Sequence, residues 1–97
     1  MRLHFAWNRH SLGRVPERSG LYEIRGIIPG DTMYHGKASN LRTRLLQHYR
    51  LRDIGFLPAE VIVTVEPNHF RRDMLERERI ERDRPRYNRQ LNPNYQQ

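Results

Sequence analysis

The chain has 97 residues, a one-domain length whose folded form buries only about two-thirds of the surface that the unfolded chain exposes. It contains no cysteine, which excludes a disulfide framework, a thiolate metal site and a cysteine nucleophile, and fits a reducing intracellular compartment. Eighteen basic residues stand against 11 acidic ones for a net charge of +7, and all of the basic residues except Lys37 are arginine, whose planar fork meets phosphate in two places.

The first 19 residues mix Phe5, Trp7 and Leu12 with Arg9, Arg14, Pro16 and Arg18 and read as an extended lead-in that lays a few aromatics on the core. They lack the continuous apolar stretch of a secretory signal, and no later run is long enough to span a membrane, so the expected location is cytoplasmic. From Gly20 to Ile28 the β-branched and apolar content predicts a strand. Pro29, Gly30 and Asp31 form a turn signal, and Thr32 to Gly36 is its hairpin partner.

Ser39 is the expected N-cap of a helix over about 40–52, where Leu41, Leu45 and Tyr49 recur every fourth residue. Gly55 and Pro58 break that pattern. Val61 to Val65 then reads as a central buried strand. A second helix starts near Asn68, another cap, and stops before Pro85, since the residue preceding proline disfavours helix. An irregular tail follows from Pro85 onward. The order strand, strand, helix, strand, helix predicts a small α+β sandwich without internal repeats. One domain over 1–97 is expected, with its motifs in 20–88.

Several side chains carry chemistry. Tyr22 and Tyr34 fall at comparable distances from the hairpin turn and are expected to be neighbours, although two phenols on one hairpin are more often simple packing. Arg44 and His48 share one face of the first helix, an arrangement more often a solvated basic stripe than a site. In the second helix, carboxylates and guanidiniums alternate, and Asp73 with Arg77 and Glu78 with Arg82 fit surface ion pairs. Glu76 differs: it stands one turn from Ile80, on the side that faces the core, which suits a metal ligand or an acid.

These segments also resemble, in order and spacing, the motifs of the GIY-YIG endonucleases. Gly20-Leu21-Tyr22 is similar to the first motif and Tyr34-His35-Gly36 to the second. The run continues through Lys37, Ala38, Leu41 and Arg44 at the family's spacing, and Glu76 stands twelve residues before the Asn88 that closes Pro85-Arg86-Tyr87-Asn88. The resemblance implies a small mixed or antiparallel three-stranded sheet flanked by helices. It implies a metal-dependent endonuclease, hydrolysing DNA phosphodiesters one nick per centre, with catalysis on Tyr22, Tyr34, Lys37, Arg44, His48, Glu76 and Asn88. Glu76 would hold Mg²⁺ or Mn²⁺, Asn88 would support Glu76 or a tyrosine, and Lys37, Arg42, Arg44 and Arg86 would meet DNA. Tyr22 is the favoured general base, with its phenol pKa lowered by Tyr34 and Lys37, but Tyr34, Lys37 or His48 fits that role too.

Two positions depart from the family. His35 stands where an aliphatic residue is usual and reads as a tolerated substitution. His48 stands where the excision-repair branch has tyrosine and the restriction branch histidine. A non-catalytic basic DNA-binding module is the alternative reading, as is a nuclease subunit active only in a larger repair or recombination complex. A homodimer or a partner protein supplying specificity is compatible with both.

Overall fold

The computed structural model describes residues 1–55 and 57–91. Elements follow in the order β1 (Arg2–Ala6), α1 (Arg9–Leu12), β2 (Gly20–Gly26), β3 (Thr32–Ala38), α2 (Leu41–Leu51), β4 (Pro58–Val65), α3 (His69–Asp83) and α4 (Arg86–Leu91). The strands form one sheet of order β1-β4-β2-β3, antiparallel throughout.

The α+β architecture agrees with the expectation, and the sheet gains a strand. Residues 2–6, read above as a lead-in, alternate exposed and half-buried side chains and pair with β4. That alternation is the signature of a half-buried strand. Five residues are too short a window to separate it from an extended lead-in, so only pairing with β4 decided the matter. The tail differs as well: α4 begins directly after Pro85, while residues 92–97 lie outside the described residues.

Strand register sorts the side chains into two faces. Leu3, Val63, Tyr22 and Gly36 form one cross-strand row, and Phe5, Val61, Ile24 and Tyr34 form the next. Both rows point into the main core, where Leu12 and Val15 from the α1 region, Leu41 and Leu45 of α2, and Ile54 cover them. The opposite face carries Leu21, Ile62, Glu23 and His35, and α3 covers it with Ile80. Because β3 is an edge strand, both α2 and α3 reach it, and residues from three elements can converge there.

The caps are asparagines. Asn40 Oδ1 accepts the Thr43 amide at 3.1 Å and Asn68 Oδ1 accepts the Arg71 amide at 2.9 Å. Ser39, the cap expected from the sequence, is exposed one residue too early. Leu45 is fully buried in the middle of α2.

Asn40→Ala is therefore expected to lower unfolding free energy by about 1 kcal/mol, and Leu45→Ala by about 2–5 kcal/mol. Ser39→Ala should stay within about 0.5 kcal/mol of the parent. Urea denaturation of the three variants checks this; an equal cost at Ser39 and Asn40 would contradict the capping assignment.

Candidate active site

The site is built on Gly36. A Cβ there would lie 2.3 Å from Tyr22 Cζ and 2.4 Å from its hydroxyl oxygen, so the Tyr22 ring lies directly over bare backbone. Gly20 is constrained in the same way, since a Cβ would come 2.2 Å from the Thr64 carbonyl oxygen of β4. Both motif glycines are thus demanded by close approach of other atoms, not by unusual torsions.

Tyr22 and Tyr34 are diagonal neighbours, with Tyr22 opposite Gly36, Tyr34 opposite Ile24, and ring centroids 6.0 Å apart. Their shared face receives α2, which delivers His48 against both rings, 5.7 Å and 5.4 Å between centroids. His48 Nε2 is 2.8 Å from the Tyr22 hydroxyl, and His48 Nδ1 is 2.7 Å from Asp53 Oδ1. Arg44, one turn earlier, lies beside both phenols and hydrogen-bonds Gln47 at 2.7 Å.

Burial governs the proton affinities here. It pushes the Tyr22 phenol far above the ordinary tyrosine value, Tyr34 adds to this, and the Arg44 guanidinium opposes it only in part. Tyr34 is raised for the same reason. The expected lowering of the Tyr22 pKa is therefore reversed: a phenol withdrawn from water loses more phenolate stability than one neighbouring cation returns. Burial lowers His48 below the ordinary histidine value, against the pull of Asp53, and keeps it neutral at pH 7.

From the other side, α3 brings a carboxylate pair. Lys37 donates to Asp73 and lies 3.5 Å from Glu76 Oε1. The Asp73 hydrogen bond holds the Lys37 ammonium above its ordinary value, assisted by Glu76, so Lys37 is a cation and not a base. Burial raises the Glu76 carboxyl, while Lys37 pulls it down. Asp73, expected to pair along its own helix with Arg77, also turns across to Lys37 and meets His69 at 3.5 Å.

Asn88 is placed differently from the expectation. It accepts from the His35 amide and donates to the His35 carbonyl, both at 2.8 Å, and so grips the backbone between Tyr34 and Gly36 instead of supporting Glu76 or a phenol directly. His35 is no passive substitution either. It is 2 % exposed, and its Nε2 is 2.6 Å from Asp83 at the end of α3. Asp83 is itself held at a pKa of about 2, chiefly by its hydrogen bond from Arg82. The strand edge is therefore tied to α3 and α4 by a side chain and a backbone clamp.

The solved GIY-YIG N-terminal endonuclease domain of UvrC from Thermotoga maritima superposes on the chain. A point mutant bound to its catalytic divalent cation gives a TM-score of 0.71 at 28% identity, covering 81% of this chain and 91% of that one. The magnesium-bound form gives 0.64 at 25%, covering 81% and 92%. In fold and in sequence the chain is similar to this GIY-YIG endonuclease domain. Its sequence is also 32% identical over 90 residues to UvrABC system protein C of Geobacter metallireducens, a match covering 84% of this chain and 14% of that much longer protein. No family model matches it.

Tyr22, Tyr34, Arg44, His48, Lys37 and Glu76 gather around the β3 edge. Two expected DNA contacts lie apart from that gathering. Arg42 is committed to the Val15 carbonyl and to Glu17, at 2.7 and 2.9 Å. Arg86 lines a groove with Arg82 and Arg84 between the hairpin turn and the end of α3. Sequence reasoning missed Asp53, Asp73 and Asp83, each of which partners a basic or imidazole group of the motifs. Asp73 carried a signal, being one turn from Glu76 on the same helix. Asp53 and Asp83 carried none, because each pairing depends on how a helix ends.

Removing the clamp should loosen the edge. Asn88→Ala leaves the buried amide and carbonyl of His35 without partners, a cost of about 1–3 kcal/mol for each unpaired group. Asn88→Asp keeps an acceptor for the amide but no donor for the carbonyl, so its loss should be intermediate. Chemical denaturation ranks the three; an Asn88→Ala protein as stable as the parent is incompatible with the clamp.

Proposed function

We propose that the chain is a metal-dependent endonuclease that hydrolyses DNA phosphodiester bonds, making one nick per centre. The observation that carries this is the convergence of two phenols, an imidazole, a guanidinium and the Lys37–Glu76 pair at one strand edge. Phosphodiester hydrolysis needs a deprotonated water, charge stabilisation on the phosphoryl oxygens and help for the leaving alkoxide, and the set provides a group for each.

Glu76 is the residue to hold Mg²⁺ or Mn²⁺. The described residues contain no group of three or more His, Cys, Asp or Glu able to cage a metal. A partly buried lone carboxylate suits a hard cation that keeps most of its waters and takes one or two protein oxygens. Burial raises its proton affinity against the pull of Lys37, and a divalent cation beside it would add to that pull and favour the ionised form. The metal's chemistry when bound is stabilisation of charge on the leaving oxygen. The solved UvrC domains carry a catalytic divalent cation, magnesium in one of them.

Arg44 neutralises charge on the phosphate, for which its place beside the phenols suits it. Tyr22 is the group that takes the proton of the attacking water, and Tyr34 orients that water. Lys37, fixed between Asp73 and Glu76, keeps the carboxylates ionised and meets a phosphate oxygen from the open side. Asn88 acts through the backbone on Tyr34 and Gly36. The arginine-rich surface draws in the polyanion at long range. No helix among the described residues is long and apolar enough to cross a membrane, and we place the protein inside the cell, acting on DNA.

With Mg²⁺ or Mn²⁺, a labelled substrate panel should be nicked by the parent. Glu76→Ala and Arg44→Ala should each lower the rate about 10²-fold or more while remaining folded. Near-normal rates in either folded variant would remove its assigned role. Glu76→Ala should still bind DNA in a gel shift, with affinity falling steeply as salt rises. On supercoiled plasmid, nicked circles should precede linear product; linear product without a nicked precursor, from a chain that sizes as a monomer, is the opposite outcome.

A further inference from the structure

The water-activating phenol has a difficulty that the surrounding geometry resolves. Tyr22 is 1 % exposed and, with its proton affinity raised, cannot rest as a phenolate. To take a proton from water it must pass its own proton on. The atom waiting for it is His48 Nε2, 2.8 Å from the hydroxyl.

The tautomer of His48 follows from its other side. A carboxylate only accepts, so the 2.7 Å contact with Asp53 puts the ring proton on Nδ1 and leaves a lone pair on Nε2. The Tyr22 O–H then donates to Nε2. We propose that Tyr22, His48 and Asp53 form a proton relay in which Asp53 is a positioning residue that fixes the imidazole, and His48 is the final acceptor of the proton drawn from the attacking water. This rests on the nuclease reading above and adds the destination of the proton.

The step balances. One O–H bond of water breaks, its electron pair staying on the oxygen that forms the new P–O bond; the P–O bond to the leaving oxygen breaks, that oxygen departing with the pair as an alkoxide, and the water's proton goes to Tyr22 Oη. The original Tyr22 O–H bond breaks at the same time and its proton forms an N–H bond at His48 Nε2. Tyr22 ends neutral, no free phenolate is needed, and the imidazolium lies against the Asp53 carboxylate. Both phenols lie beside Arg44, so a water attacking the phosphate that Arg44 holds is next to the Tyr22 oxygen.

Local structure holds Asp53 in place. The Arg52 amide bonds to the His48 carbonyl at 2.9 Å, and Arg52 adopts a left-handed φ of 52°, which turns the chain back beneath the end of α2. Ile54, 1 % exposed, anchors the residue that follows. Asp53 is thus fixed from both sides, with its carboxylate aimed at the imidazole. No motif of the resemblance includes it.

The groups facing His48 are Tyr22 from β2, Tyr34 from β3, Arg44 from its own helix and Asp53. Asp53 is the one that raises its proton affinity, whereas burial and Arg44 lower it. Two variants of the full chain, Asp53→Asn and Asp53→Glu, test the relay through plasmid nicking rates across acidic and neutral pH. Their folding is checked by thermal melting, and the His48 tautomer by ¹⁵N NMR of the resting protein.

We expect Asp53→Asn to lose about 10- to 100-fold in rate, the range typical when an imidazole's orienting partner is removed. Its acidic limb should move to lower pH, because the imidazole without its carboxylate stays unprotonated further down. Asp53→Glu should recover part of the rate, and ¹⁵N NMR of the parent should show the Nδ1–H form. A folded Asp53→Asn protein with parental rate and pH profile overturns the relay while leaving the nuclease reading intact. So does a rate loss with an unshifted limb, which marks a purely structural role. If the parent cuts no DNA, the nuclease reading fails first, and an Nε2-protonated His48 in the same sample then overturns the relay separately.

Discussion

A methyl group on Gly36 would overlap the Tyr22 ring, and most of the site depends on that contact. Because the ring lies flat over bare backbone at an edge strand, its hydroxyl is carried past the strand toward α2, where His48 meets it. The same row of side chains continues through Val63 to Leu3 and is part of the main core. The Tyr22 phenol is therefore held by the packing that holds the protein together, and it has little freedom to reorient, because dense cores keep side chains in single rotamers.

The cost of that placement is electrostatic. Burial raises the proton affinity of both phenols; Tyr34 raises that of Tyr22 further, whereas the hydrogen bond with Tyr22 lowers that of Tyr34. Arg44 lies beside both and offsets only part of this. On the other side of the edge, the Lys37 ammonium is shared between Asp73 and Glu76. Arg44 thus stands with the phenols on one side of the strand, and Lys37 with the carboxylates on the other, so each side of the edge carries a cation.

Position 35 shows how one departure from a family pattern is absorbed. An aliphatic residue there would need only a dry pocket beneath α3. The imidazole brings two nitrogens, one met by Asp83 and the other, Nδ1, buried with no hydrogen-bond partner. A neutral ring that donates through Nε2 leaves Nδ1 as a bare acceptor, the less costly way to leave it unpaired, and burial keeps the ring neutral. Asn88 secures the same residue through its backbone, so α3 and α4 both fasten on one point of β3.

The sequence by itself determined the order of elements from β2 to α3, with the central strand at 61–65, the hairpin and the two long helices, because these follow from local periodicity and turn residues. It also determined the residues at the strand edge, since their types and spacing follow a family pattern. The tertiary structure decided what depends on pairing between distant segments. Residues 2–6 become a strand only because β4 offers them a partner, and Asn88 finds the backbone of His35 from 53 positions away in the chain. The proton affinities belong to this second group, because whether a tyrosine is raised or lowered depends on the balance between burial and neighbouring charge. So does Asp53: a left-handed turn at Arg52 aims its carboxylate at His48, and a non-glycine residue gives no advance sign that it will take that conformation.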